Sequence, residues 1–351
     1  MLLEGLYLPL TTPFYPDGRL NGRKLEHNVD RVSKTPAAGL VLLGPQGEPS
    51  ALSDSETREA LRWAAGAAAD EKVLIAGVSR DSVAGTLTLA EAAAEMHYDA
   101  ALVGVPAMLA LDGLAWREML VYFQAVADRS ALPVLLMSGR GGRRIPADVS
   151  VELAAHPGIL GIAEVDAGGI AEIVSRTASV CREVTVTPVF AAVTGRMLRA
   201  AAPASGALVS AETLACGGTA VAVATQAAAP VKTLRTRTRQ VGFQVLAGST
   251  EAMLAGLQAG AAGVMPGFAA CAPQACYEVY AAWKDGDMAL AEEKQARLRQ
   301  AAALVEGLGP GGIKFGCDLN GYFGGRPRLP MLPPAGDDRA VIEKAMKGLG
   351  N

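Results

Sequence analysis

The chain has 351 residues, half of them apolar and 5% aromatic, with a formal charge of −3. That length suits one α/β barrel with additions, and so few aromatics leave Ala, Val, Leu and Gly to fill its core. The near-neutral charge argues against a general nucleic-acid or membrane-surface role.

The opening MLLEGLYLPLTTPF carries no basic flank and is broken by Glu4, Pro9 and Pro13, so no signal peptide is expected. Gly5–Phe14 alternates and reads as strand one. The turn YPDG (15–18) follows, and 22–35 reads as a polar amphipathic helix. Gly39–Leu43 is strand two and runs into the tight loop Gly44-Pro45-Gln46-Gly47-Glu48. Ser53 followed by Glu56 is a capping-box pattern opening helix two, which Ala-rich sequence carries to about Asp70. Val73–Val78 is strand three, with Asp81 or Ser82 capping the next helix. Ala100–Val105 is strand four, ended by Pro106. A helix is expected over 114–130, with Trp116, Met119, Leu120, Phe123 and Val126 at core spacing.

Pro133–Met137 and Ile159–Val165 are strands five and six, flanking a short helical segment. A helix from Ile170 to Cys181 follows. Phe243–Ala247 is strand seven, with a helix from Thr250, and Ala261–Met265 is strand eight, with a helix over Pro273–Trp283. Helices near 288–308 and 338–349 form a tail. Eight strand–helix units in a row predict a (β/α)8 TIM barrel, an α/β fold, over 1–285, with a C-terminal helical extension over 286–351. No GxGxxG follows strand one, which removes the dinucleotide-fold signal.

Residues 184–241 do not fit the repeat and read as an insertion between helix six and strand seven. They hold six basic residues against one acid, Glu212. Because the insertion follows a helix, connectivity puts it on the side away from the strand C-terminal ends. It is expected to be solvated, in part ordered over Thr185–Phe190 with a short helix; a lid or subunit contact is the sharper alternative.

Five cysteines, at 181, 216, 271, 276 and 317, form no CxxC pair and no metal spacing. They read as small core residues in a reducing, cytoplasmic setting. His27, His97 and His156 form no HExxH or triad pattern and read as structural or surface residues on helices. No metal or cofactor is expected. The apolar stretches hold too many Gly, Pro and polar residues to span a bilayer.

In a barrel the strand C-terminal ends carry the chemistry. Here strands five and six offer Met137, Ser138, Ala163 and Glu164. Gln46 and Ser138 suit hydrogen bonds to a neutral ligand. Arg140, Arg143 and Arg144 suit bidentate contact with a carboxylate, or read as a solvated basic loop. Glu164 follows an inward position and is expected to point outward, toward the helices. Glu48 reads as fixing its own loop.

Several stretches, in order, resemble the dihydrodipicolinate synthase / N-acetylneuraminate lyase family of pyruvate-type aldolases. These are LPLTTPFYPDGRLN (8–21), GLVLLGPQGEPSALSDSE (39–56), VLIAGV (73–78), LPVLLMS (132–138), HPGILGIAE (156–164), FQVLAGS (243–249) and GGIKFGCDLNGYFGGRPRLPMLPP (311–334). The ending is similar to the 4-hydroxy-2-oxoglutarate aldolase-like branch. The resemblance implies a lyase fold, a small 2-oxo acid or other carboxylate as ligand, and a homo-oligomer, tetramer or dimer. It also implies a Schiff-base Lys on strand six, a proton-shuttling Tyr on strand five, and two Thr in the strand-two loop that hold the substrate carboxylate.

Position by position, this chain departs from that pattern. The family's Gly-Ile-Lys-Asp/Glu falls on Gly161-Ile162-Ala163-Glu164, its Leu-Tyr-Asn on Leu136-Met137-Ser138, and its Gly-Thr-Thr-Gly-Glu on Gly44-Pro45-Gln46-Gly47-Glu48. Its carboxylate-binding Arg lies near Gly142, which Arg143 meets only with a one-residue slip; Arg140 is the other match. Alanine has no amine to condense with a carbonyl, methionine moves no proton, and Pro45 has no N–H for an anion. Lys72, Lys232 and Lys314 all lie away from strand C-terminal ends.

Three functions remain open at this point. One is an aldolase-family homologue without Schiff-base chemistry that binds an oxo acid or is inactive. Another is an enzyme with altered, non-covalent lyase or hydrolase chemistry through Arg143, Glu164, Ser138 or Gln46. The third is a non-catalytic partner subunit or structural protein with the insertion as its contact surface.

Overall fold

Eight short parallel strands close into a barrel. They are β1 (Gly5–Pro9), β2 (Gly39–Leu42), β3 (Val73–Gly77), β4 (Ala100–Gly104), β5 (Val134–Met137), β6 (Ile159–Glu164), β9 (Gln244–Ala247) and β10 (Gly263–Val264). A separate antiparallel pair, β7 (Arg182–Val186) and β8 (Arg237–Val241), lies outside the barrel. The structure is a computed structural model and describes residues 1–110, 116–201 and 234–350. Around the barrel β1 pairs with β2 and with β10, and β6 pairs directly with β9 across the insertion. That last seam is tight: a Cβ on Gly161 would lie 1.9 Å from the Gln244 carbonyl oxygen, so only glycine fits.

The helices are α1 (Gly22–Ser33), α2 (Asp54–Ala67), α3 (Val83–Glu95), α4 (Trp116–Ala127), α5 (Ala147–Ala154), α6 (Ala167–Arg176), α7 (Gly195–Ala201), α8 (Met253–Gln258), α9 (Pro273–Lys284), α10 (Met288–Gly307), α11 (Gly309–Leu319) and α12 (Gly336–Met346). Local chemistry sets their starts. Ser53 and Glu56 make the reciprocal capping box of α2, while Ser82, Asp166 and Asp287 cap α3, α6 and α10 by accepting from backbone N–H groups. Leu25, Val29 and Val32 put one buried stripe of α1 on the barrel.

Two apolar layers result. One lies between strands and helices; the other fills the barrel with Tyr7, Val41, Ile75, Leu102, Leu135, Ala163, Leu246 and Met265 among its members. The fold is thus the predicted TIM barrel with extra C-terminal helices and an insertion after the sixth helix.

Several details differ from the sequence reading. Strand one stops at Pro9, and Phe14 instead bridges to Leu20 across the YPDG turn. The helix after strand six runs Ala167–Arg176, because Asp166 caps it early and the Thr177 hydroxyl bonds back to the Ile173 carbonyl at its end. Cys181 is therefore exposed rather than core, while Cys271, Cys276 and Cys317 are buried and Cys216 lies outside the described residues. Trp116 is 47% exposed, since the buried face of α4 starts at Met119. His97 and His156 sit just past the ends of α3 and α5, His97 in the left-handed region. The helix after strand seven begins at Met253 rather than Thr250, and the tail holds a third helix, α11.

The insertion begins its ordered structure at Arg182 and packs on the N-terminal end of the barrel. Val184 and Val186 cover Leu2, and Arg239 pairs with Glu4 at 2.5 Å. The Arg182 guanidinium donates to the carbonyls of His156 and Ile159 at the start of β6. Arg196, 6% exposed, donates to the Ala69, Lys72 and His97 carbonyls and stands 3.8 Å from Asp99. Among the described residues, no helix is long and apolar enough to cross a membrane.

Candidate functional site

The opposite end of the barrel carries the loops that follow the strands. Register sets what stands there. Gly104, Met137, Ala163 and Leu246 are successive Cα partners across β4, β5, β6 and β9, so they share one level of the barrel. Ala163 is fully buried in the interior apolar cluster, and the partly buried Met137 packs against that cluster. Across these four strands the barrel is therefore lined by hydrocarbon and thioether at this level.

Glu164 faces the other way, as the period of two requires. It is 1% exposed, its Oε1 accepts from the Asp166 backbone N–H at 3.0 Å, and its carboxyl lies against the first turn of α6. A Cβ on Gly169 would come within 3.2 Å of both the Glu164 carboxyl carbon and Arg144 Nη2. Ser138 is fully buried, and its Oγ accepts from the Ile145 backbone N–H at 3.1 Å, which closes the loop after β5.

A cleft of about 380 Å³ opens between the loops after β5, β6 and β9. Arg140, Arg144, Glu164, Asp166 and Glu251 line it, with Gly139 and Gly141 leaving backbone open to solvent. Arg140 stands 3.7 Å from Glu251 and Arg144 stands 3.4 Å from Asp166; all four side chains are more than half exposed. Exposed pairs at such distances contribute little to stability. Arg143 projects into solvent outside the cleft.

Gln46 is not part of that cleft. It sits in a short 3-10 turn, Pro45–Gly47, and its amide nitrogen lies over Gly267, after β10. The candidates thus separate into Arg140 and Glu164 at one side of the mouth, Gln46 at another, and Ser138 inside its own turn.

Glu48 corrects the sequence reading, which tied it to its own loop. Its backbone is left-handed, with φ 54°, and its carboxylate reaches the C-terminal tail. Oε1 lies 2.5 Å from Lys314 Nζ, with both side chains essentially inaccessible, and Oε2 accepts from the Arg328 backbone N–H at 2.8 Å. Phe14 lies beneath both cations, 4.3 Å from the Lys314 amine and 4.5 Å from the Arg328 guanidinium. Burial pulls the Lys314 amine below its ordinary range, against the opposing pull of Glu48. Arg328 also grips both carboxylate oxygens of Glu56, at 2.8 and 2.7 Å, and holds that carboxyl down at about 2.

Lys72 and Lys314 are the buried amines among the described residues. Lys72 donates to the Thr35 and Ala37 carbonyls at the N-terminal end, and Lys314 is committed to Glu48 and the Arg326 carbonyl. Lys232 lies outside the described residues.

Sequence reasoning missed Asp166, Glu251, Thr250 and Glu306 at this face. An N-cap Asp before Ala-Gly-Gly was a readable signal for Asp166; Glu306 belongs to a tail helix and carries none. Among the described residues, no three His, Cys, Asp or Glu side chains cluster to hold a metal ion.

A model of the Dihydrodipicolinate synthetase family matches residues 2–192 and 212–349. The 4-hydroxy-tetrahydrodipicolinate synthase of Acidiphilium cryptum (strain JF-5) is 26% identical over 354 residues, covering 99% of each chain. Among solved structures, a dihydrodipicolinate synthase from Bacillus anthracis superposes with a TM-score of 0.76 at 19% identity, covering 100% of both chains. YagE, an E. coli K12 prophage protein of the dihydrodipicolinic acid synthase family in complex with pyruvate, gives 0.74 at 21% identity over 99% of each chain.

Proposed function

The chain belongs to the dihydrodipicolinate synthetase family, and from that premise we propose that it is a member without Schiff-base chemistry. It binds a small carboxylate, a 2-oxo acid or close relative, non-covalently at the mouth of the barrel. One observation carries the reading: residue 163, inward at the C-terminal end of β6, is a fully buried alanine in an apolar lumen. An imine needs a primary amine at the carbonyl carbon, and the buried amines described are bound elsewhere. The cleft with Arg140 and Arg144 supports an acid as ligand. Against altered catalysis stands the dispersal of Ser138, Glu164 and Gln46, which share no reacting point. A homo-oligomer fits the exposed Met108, Trp116 and Val121 around α4.

The test combines two measurements on purified protein. Borohydride is added with pyruvate and the intact mass is recorded; no reduced adduct is expected. Thermal melting is then followed with pyruvate and longer oxo acids, and a saturable rise is expected that Arg140→Ala/Arg144→Ala loses. A stable pyruvyl adduct would show that an amine reaches the lumen and would end the proposal.

A further inference from the structure

Glu306, on α10, makes contacts that the binding cleft does not use. Its Oε1 accepts from Thr250 Oγ1 at 2.6 Å and from the Phe268 backbone N–H at 2.7 Å. Thr250 follows β9 and Phe268 follows β10, so both donors belong to the barrel's C-terminal face. Gln46, after β2, lies nearby. A Cβ on Gly267 would stand 2.7 Å from the Gln46 amide nitrogen and 2.8 Å from Glu306 Oε1, so both side-chain ends lie close over that glycine. Behind them Gln295 donates to the Thr250 carbonyl at 2.8 Å and fixes that loop.

Two separate strand-end loops thus aim a hydroxyl and a backbone N–H at one place, and a carboxylate fills it. The donors are barrel residues; the occupant comes from the tail. Among the described residues Glu306 makes no ion pair, and Arg140 and Glu251 act on it through space with opposite sign. Burial lifts its carboxyl above the ordinary range, while the Thr250 and Phe268 donors pull it down. Neutral, convergent donors of this kind recognise a carboxylate by hydrogen bonds to the charged form.

We infer that the Thr250 hydroxyl and the Phe268 N–H, with Gln46 across Gly267 from them, form a carboxylate-binding site which the chain fills with its own Glu306. A free acid of formate or acetate size takes that site once the side chain is removed. While Glu306 is in place, the site is closed to free acids. This does not depend on the oxo-acid reading, because its probes are formate and acetate and its readout is melting of the whole chain.

The experiment is chemical rescue at pH 7. Glu306→Ala is expected to melt lower than the wild type. Formate or acetate, but not chloride at equal ionic strength, is expected to raise it saturably by about 2 °C or more. The wild type is expected not to respond, and Thr250→Val/Glu306→Ala is expected to lose the response. Glu306→Ser also vacates the site and carries the test should the alanine variant not fold, with the same saturable formate response expected; Glu306→Gln keeps the side-chain volume, leaves the site filled and is expected not to respond. Indifference to both acids in whichever of the alanine and serine variants folds, or an equal response in the wild type, overturns the assignment.

Discussion

Replacing Lys314 by methionine tests whether the buried amine is structural. The substitution keeps most of the side-chain volume and removes the charge. Glu48 Oε1 then loses its 2.5 Å partner in a place where neither side chain reaches solvent, while Oε2 keeps the Arg328 N–H. Removing one member of a buried pair costs about 3–5 kcal/mol, because the remaining charge is left uncompensated. The cation–π contact with Phe14 goes with it. Adding Glu48→Gln removes the stranded charge, so the double variant is expected to recover about 2 kcal/mol relative to Lys314→Met. Urea denaturation of the four proteins gives the coupling directly. A single-variant loss below about 1 kcal/mol, or simple additivity, would refute a buried, mutually dependent pair. Ligand-induced stabilisation by oxo acids is expected to survive in Lys314→Met, since the Arg140 cleft is elsewhere.

Glu56 gives a signed pH dependence. Arg328 holds its folded carboxyl at about 2 against an ordinary value of 4.5, so its contribution is complete above 4.5 and fades as pH falls toward about 2. Arg328→Ala is expected to flatten that acid limb in melting curves taken across the window; parallel limbs would contradict the assignment. Arg196→Ala is expected to loosen the β7–β8 pair by stripping the guanidinium from the Ala69, Lys72 and His97 carbonyls and from Asp99. Amide exchange across β7 and β8 is expected to speed up about 100-fold, and unchanged protection would show that the pair is held without Arg196.

The barrel was legible because each strand is a short apolar run and several helices open on readable caps. Ser53 with Glu56 is the clearest, since the motif needs only residues three apart. Ala163 and Met137 were placed by the family resemblance of Gly161–Glu164 and Leu136–Ser138. The outward turn of Glu164 follows from the period of two along a strand. Groups whose partners are remote in sequence were not legible. Glu48 accepts from a backbone N–H 280 residues along the chain, and nothing in Gly44–Glu48 announces it. Ser138 was read as a ligand contact on residue type, yet the fold commits its hydroxyl to the Ile145 N–H seven positions on. The start of α6 shifted because the Asp166 side chain caps Gly169, a competition that apolar spacing does not record.

The Glu48–Lys314 pair also has a consequence for biosynthesis. Strand two emerges from the ribosome early, and its loop acquires its counter-ion only when the final tenth or so of the message has been read. Until then Glu48 has to stay hydrated and the mouth of the nascent barrel stays unlatched. A message truncated before codon 314 therefore yields a chain whose second loop keeps its local bonds, such as Thr12 Oγ1 to the Gly47 carbonyl, but leaves Glu48 without its buried counter-ion.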